Sequence, residues 1–227
     1  MTLSDFAGVI FDFDGVLIDS EGIAYDAWVG AMGEAGERIG RQALMDAGNG
    51  LTNAMLLAWL REHHGWEPQP GFTEDLNRRF VQAFGPGAVI PGAAETLRRL
   101  RAAGVPLALA TNSGQEEMVF KLGEVGLSDT FGAHAYNPSH VGGRAKPEPD
   151  LYRHAAQALG LDPAQCLVIE DSLVGVRAAV AAGCRVWGIT VTHHDPALAA
   201  QLLEAEAERT VTDHAELQAA LGLEVDG

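Results

Sequence analysis

Five short apolar runs recur along the chain, with amphipathic stretches of helical length between the later ones. The runs are Ala7–Phe13 (AGVIFDF), Val105–Ala110 (VPLALA), Ala133–Tyr136 (AHAY), Cys166–Ile169 (CLVI) and Arg185–Ile189 (RVWGI). Short continuous apolar runs bounded by glycine, proline or acidic residues suit strands buried on both faces. The intervening segments Ala93–Ala103, Glu116–Val125, Pro149–Leu159 and Val174–Ala182 carry helical spacing. Strand alternating with helix folds into a parallel sheet covered on both sides. The expected fold is α/β, a doubly wound Rossmann-like parallel sheet. About ninety residues separate the first two strands, too many for one crossover, and from about Glu21 to Phe84 they read as helices with no strand. An inserted helical cap domain over residues 20–88 is therefore expected, with residues 1–19 and 89–227 as the core. Gly85-Pro86-Gly87 and Pro91-Gly92 punctuate the return to the core, and Trp28, Trp59 and Trp66 read as packing inside the insertion.

Charge and cysteine content narrow the function. The net charge of −16 repels nucleic-acid backbones, so no nucleic acid is expected as a partner. No apolar stretch approaches the roughly eighteen residues of a membrane span, and the N-terminus has no basic segment leading into an apolar one. Cys166 and Cys184 lie in or beside strand-like runs and read as buried free thiols. A cytoplasmic monomer is the expectation. The basic set is unusual: of 15 basic residues only Lys121 and Lys146 are lysines, so a lysine in this chain stands out.

Four elements that carry chemistry fall where predicted strands end. Asp12 and Asp14 follow the first; two carboxylates two residues apart can hold a hard cation, and one can attack while the other moves a proton. The plain alternative is a strand ending in a turn. Thr111, Asn112 and the following backbone N–H groups can hold phosphate oxygens, while Ser113 with Glu116 has capping-box spacing. Lys146 opens a later helix between fixed prolines and can neutralise a phosphate, or is a solvated surface lysine. Glu170 and Asp171 complete an oxygen-rich set of the kind Mg²⁺ prefers, or cap a helix. In an open parallel sheet ligands bind beyond the carboxyl ends of the strands, where all four elements lie.

These residues resemble the haloacid dehalogenase superfamily, specifically its phosphatase-like branch with a helical cap inserted after the first motif. Asp12-Phe13-Asp14-Gly15-Val16-Leu17-Ile18-Asp19-Ser20 resembles its first motif, Thr111-Asn112 the second, Lys146-Pro147 the third and Glu170-Asp171 the fourth. The resemblance implies Asp12 as nucleophile and metal ligand. Asp14 is implied as general acid and base whose backbone carbonyl meets Mg²⁺, Asp171 as a further ligand, and Glu170 as a ligand or the partner of one. Thr111 and Lys146 join the catalytic set, and Gly15, Thr111, Asn112 and Lys146 bind the phosphate. Asp14 disfavours dehalogenation, because dehalogenases lack that residue. Phosphonoacetaldehyde hydrolases need a cap lysine, and no lysine precedes Lys121. β-Phosphoglucomutases carry a histidine where this chain has Ala24, four residues before Trp28, and a cap arginine where it has Asn53; Arg38, Arg41 and Arg61 remain as substitutes. The expected activity is Mg²⁺-dependent hydrolysis of a small phosphorylated metabolite, a sugar phosphate, with Gly50, Leu51, Thr52 and Asn53 contacting substrate from the cap. His63-His64 and His193-His194-Asp195 read as solvated surface groups, and Glu204, Glu206 and Glu208 as one exposed helix face.

Overall fold

The computed structural model describes residues 3–48, 53–193 and 196–223 and divides into two compact units, Met1–Asp19 with Val89–Gly227, and Ser20–Ala88. In the first unit six parallel strands form one sheet. They are β1 (Gly8–Phe11), β2 (Leu107–Ala110), β3 (Ala135–Tyr136), β4 (Cys166–Glu170), β5 (Arg185–Ile189) and β6 (Arg209–Val211), in the spatial order β3-β2-β1-β4-β5-β6. The chain winds outward from β1 through β2 to β3, then returns to the other side of β1 at β4 and continues to β6. Strand order thus reverses between β1 and β4, and a doubly wound sheet opens its ligand crevice at such a reversal. Register places Phe11 beside Leu109 on one side and Ile169 on the other, so the residues that follow these three strands emerge together.

Every residue of β1, β2 and β4 is buried, which explains why these strands read as unbroken apolar runs. Ile10, Ala108, Ala110, Val168 and Val186 belong to a core that takes in Leu151, Tyr152 and Ala155 of the helix Asp150–Ala158 and Val176 and Ala179 of the helix Leu173–Ala182. The helices of the two units, in chain order, are α1 (Ser20–Met32), α2 (Glu34–Ile39), α3 (Arg41–Gly48), α4 (Asn53–His64), α5 (Phe72–Ala83), α6 (Ala93–Ala102), α7 (Gln115–Glu124), α8 (Ser128–Phe131), α9 (Asp150–Ala158), α10 (Leu173–Ala182), α11 (Leu198–Glu204) and α12 (His214–Leu221). Cys166 and Cys184 are buried free thiols.

The second unit, α1 to α5, has a core of its own built on Trp28, Leu44, Leu56, Leu60, Phe72 and Leu76. Trp28 and Phe72 meet with ring centroids 5.2 Å apart, and Trp66 reaches the same Phe72 at 5.0 Å. No described helix is long and apolar enough to cross a membrane.

At the C-terminal end one sequence expectation fails and one strand carried no signal. The acidic tract is not one helix face: Glu204 closes α11, Glu206 takes a left-handed φ of 73° that turns the chain, and Glu208 leads into β6 and pairs with Arg185 at 2.9 Å. Strand β6 itself escaped notice because three residues, Arg-Thr-Val, carry no apolar run, as suits a short edge strand with a charged flank.

Candidate active site

The loop leaving β1 turns immediately. Gly15 N–H donates to Ile18 C=O and Leu17 N–H to Phe13 C=O, so the chain folds back within one turn of Asp14. Gly15 holds φ 77°, and a Cβ there would fall 1.8 Å from Asp171 Oδ2. Only glycine lets the loop pass this close to the carboxylate that follows β4.

Lys146 stands at the centre. It is brought in by the segment preceding α9, and its own backbone is held by Asn112, whose Oδ1 accepts Lys146 N–H at 2.9 Å and whose Nδ2 donates to Lys146 C=O at 3.3 Å. The side chain is 4% exposed, and its ammonium donates to Asp12 Oδ1 at 2.7 Å and to Glu170 Oε1 at 2.6 Å, and lies 4.8 Å from the Tyr152 ring centroid. A solvated surface lysine is therefore ruled out.

Glu170 is wholly buried and heavily committed. Oε1 accepts the Tyr152 hydroxyl at 2.7 Å in addition to Lys146; Oε2 accepts Asp171 N–H, Ser172 N–H and Ser172 Oγ–H at 3.0–3.1 Å. Burial alone would raise its pKa, but the Lys146 ammonium and these hydrogen bonds hold the carboxyl below the usual range. The cap of α10 is Ser172, which accepts from Gly175 N–H, so Glu170 is not the capping residue. Gly175 in turn has no room for a side chain, since a Cβ would meet Glu170 Oε1 at 1.7 Å.

Asp12, Glu170 and Asp171 each bring one carboxylate oxygen within 4.8 Å of the others. Of these three buried carboxylates Asp12 and Glu170 contact the Lys146 ammonium, while Asp171 meets His193. The surplus negative charge is felt: burial, followed by Glu170 and Asp171, pushes Asp12 well above its usual range against the pull of Lys146. Burial and Glu170 push Asp171 up to about 6 against a hydrogen bond from His193. A set of hard oxygen donors with excess negative charge fits a divalent cation such as Mg²⁺. Within that set Asp12 and Asp171 are better suited to ligate than Glu170, whose oxygens are already taken up by donors.

The other expected residues are placed less uniformly. Asp14 is half-buried and its carboxylate lies outside the triad, with Oδ2 accepting Ser113 Oγ–H at 2.9 Å and Oδ1 accepting the Lys121 ammonium at 2.7 Å. Thr111 is buried after β2, and its Oγ1 accepts Ser113 N–H at 3.0 Å. The capping box expected from Ser113 and Glu116 does not form, because Ser113 is drawn to Asp14 and α7 is capped by Gly114 without a side-chain bond. Asn53 begins α4 in the second unit and is exposed; Gly50, Leu51 and Thr52 lie outside the described residues.

Three contributors were missed. Lys121 is buried on α7 against Asp14, and the scarcity of lysine that drew attention to Lys146 applied to it equally. Tyr152 carried no signal as a member of an amphipathic segment. His193 is not a solvated surface group: it is half-buried, with Nε2 2.8 Å from Asp171 Oδ2, because the loop after β5 ends at the same sheet edge as β4. His194 and Asp195 lie outside the described residues.

A family description, haloacid dehalogenase-like hydrolase, matches residues 6–183. A solved structure of a HAD family hydrolase from Deinococcus radiodurans R1, with bound phosphate and sodium, is 44% identical with a TM-score of 0.85, over 98% of this chain and 99% of that one. A candidate β-phosphoglucomutase of Thermotoga maritima is 27% identical with a TM-score of 0.76, over 93% of this chain and 97% of that one. Hexitol phosphatase A of Escherichia coli strain K12 is 35% identical over 109 residues, 48% of this chain and 49% of that protein. The chain spans about half the length of the curated relatives it matches, from 25% to 59% among three of them. With the six-stranded parallel sheet and the carboxylates at its switch point, a match that covers well over half of the sequence establishes that this chain belongs to the haloacid dehalogenase-like hydrolases.

Proposed function

We propose that the protein hydrolyses a small phosphomonoester, a sugar phosphate, by transient phosphorylation of Asp12. The observation that carries this reading is the buried charge cluster, in which one lysine is shared between the carboxylate after β1 and the carboxylate ending β4. The phosphate bound in the Deinococcus structure supports it, as does the hexitol phosphatase among the relatives. In the first step an Asp12 oxygen bonds to phosphorus and the ester P–O bond breaks, with Asp14 giving a proton to the departing oxygen. In the second, Asp14 takes a proton from water, the water oxygen bonds to phosphorus, and the P–O bond to Asp12 breaks. Lys146 and the backbone amides after Thr111 offset charge on the transferring group. Asp12 and Asp171, with the Asp14 backbone carbonyl, would hold Mg²⁺, whose charge would shield the attacking carboxylate from the phosphate. Residues 20–88 are assigned the role of cap, with substrate selection by its side chains.

The test is incubation with Mg²⁺ and a panel of hexose, hexitol and pentose phosphates, phosphoglycolate and nucleoside monophosphates, scored separately for free phosphate and isomerised ester. Phosphate release from at least one sugar or polyol phosphate, abolished by a chelator, is expected. Isomerised hexose phosphate with little free phosphate would instead favour the mutase, against which Ala24 and Asn53 stand.

Metal binding has a second, activity-independent signature. Because the Asp171 carboxyl is pushed up to about 6, ionising it in the metal-free protein costs stability. That cost is absent below the ordinary aspartate value of about 4, grows as pH rises, and is complete above about 6. A divalent cation relieves it, so 5 mM Mg²⁺, roughly saturating, should raise Tm by several degrees at about pH 7.5 and by less than half as much at about pH 5. An equal shift at both pH values would show that Asp171 is not a ligand.

A further inference from the structure

The chain has two lysines, and each is buried against a different aspartate of the loop after β1. Lys146 takes Asp12; Lys121, from α7, takes Asp14. The Lys121 side chain is 4% exposed, with its ammonium 2.7 Å from Asp14 Oδ1, 3.3 Å from Ser113 Oγ and 2.5 Å from Glu117 Oε1. Burying a lysine is unfavourable unless its charge is met, and here two carboxylates meet it. Burial works against the ammonium, yet Asp14 and Glu117 more than compensate and hold it charged.

Both oxygens of Asp14 are therefore engaged by donors of one segment, Oδ1 by Lys121 and Oδ2 by Ser113 at 2.9 Å. A carboxylate gripped at both oxygens has little rotational freedom about its last bond, and α7 dictates where it points. Proton transfer is sensitive to such placement, because the acid must lie within hydrogen-bond reach of the departing oxygen. Resting on the reading of Asp14 as the acid and base of the proposed hydrolysis, we infer that Lys121 is the positioning residue that aims Asp14 at the leaving oxygen. Lys121 touches no reacting atom; it acts through Asp14. Glu117, 50% exposed on the preceding turn of α7, accepts from the same ammonium.

The role predicts a dependence on the leaving group. A sugar alkoxide leaves only if Asp14 delivers its proton as the P–O bond breaks and the bond from Asp12 to phosphorus forms. p-Nitrophenolate is a stable anion and leaves without it. The experiment compares kcat/KM for p-nitrophenyl phosphate and for the fastest sugar phosphate of the panel, in the wild-type protein, Lys121→Met and Lys121→Arg. Lys121→Met should lose about 100-fold on the sugar phosphate and less than about tenfold on the aryl ester, in keeping with the worth of general acid catalysis. Lys121→Arg, which keeps a cation on α7, should restore the ratio of the two esters to within about threefold of wild type.

A purely structural role would lower both esters by one common factor, with a fallen Tm, and that result overturns the inference. So does a failure of Lys121→Arg to restore the ratio. Lys121→Gln is read by the same ratio where the methionine variant does not fold. Phosphate release by the wild-type protein tests the proposed hydrolysis separately, so equal losses in the variants of an active enzyme refute the role of Lys121 alone.

Discussion

Asp12→Asn is expected to abolish turnover while leaving the fold intact or more stable. The amide of asparagine is no nucleophile, so no phosphoryl group can be transferred to position 12, and removal of a nucleophile from a concerted catalytic set costs on the order of 10⁴-fold or more in kcat. Stability moves the other way for an electrostatic reason. Asp12 is one of three clustered buried carboxylates, and its ionisation is opposed by burial and by both neighbours. Asparagine keeps the shape, removes one repelling charge, and leaves Lys146 its 2.6 Å contact with Glu170. Tm of the metal-free variant should therefore equal or exceed that of the wild type, and mass spectrometry after quenching with substrate should find no phosphorylated protein. Normal turnover by this variant would refute the mechanism.

Lys146→Met is expected to be as damaging to activity and, unlike Asp12→Asn, severe for stability. Methionine matches the lysine in length but strands Glu170 and Asp12 without a counter-charge. Removing one partner of a buried ion pair costs about 3–5 kcal/mol. For a chain of this size that corresponds to a fall in Tm of roughly 10 °C. The pH dependence follows from Glu170, whose carboxyl Lys146 and its other donors hold low in the wild type. A depressed carboxyl contributes stability above its unfolded value, and that contribution disappears as pH falls through the folded value. In Lys146→Met the carboxyl loses the ammonium that holds it down, so the stability gap between the two proteins should be widest near neutrality and close as pH is lowered. A gap that does not change with pH would show that lost packing, not stranded charge, is responsible.

The doubly wound sheet was legible because its strands are buried on both faces, which forces unbroken apolar runs, and because parallel strands must be separated by crossovers of helical length. Asp12, Lys146, Glu170 and Asp171 could be expected together for a related reason: in a parallel sheet the carboxyl ends of all strands lie along one edge, so residues following separate strands share that edge without any knowledge of side-chain contacts. Strand β6 lacked the apolar run and was invisible, and the glutamates before it were wrongly placed on one helix.

The pairings inside the site belong to a different level of information. Whether Ser113 caps α7 or turns to Asp14 is a competition between a local hydrogen bond and one spanning 99 residues, and local spacing describes only the first competitor. Lys121 reaches Asp14 across 107 residues, and which face of α7 it occupies is set by how that helix packs. Tyr152 and His193 likewise meet Glu170 and Asp171 only once α9 and the loop after β5 are laid against β4. Periodicity and strand-end chemistry, both local properties of the chain, were enough to name the sheet and the edge along which Asp12, Lys146, Glu170 and Asp171 gather. Which donor meets which carboxylate depended on the docking of helices over the sheet, since hydrogen bonds and ion pairs form over about 3 Å and no pattern of neighbours along the chain specifies distances between remote residues on that scale.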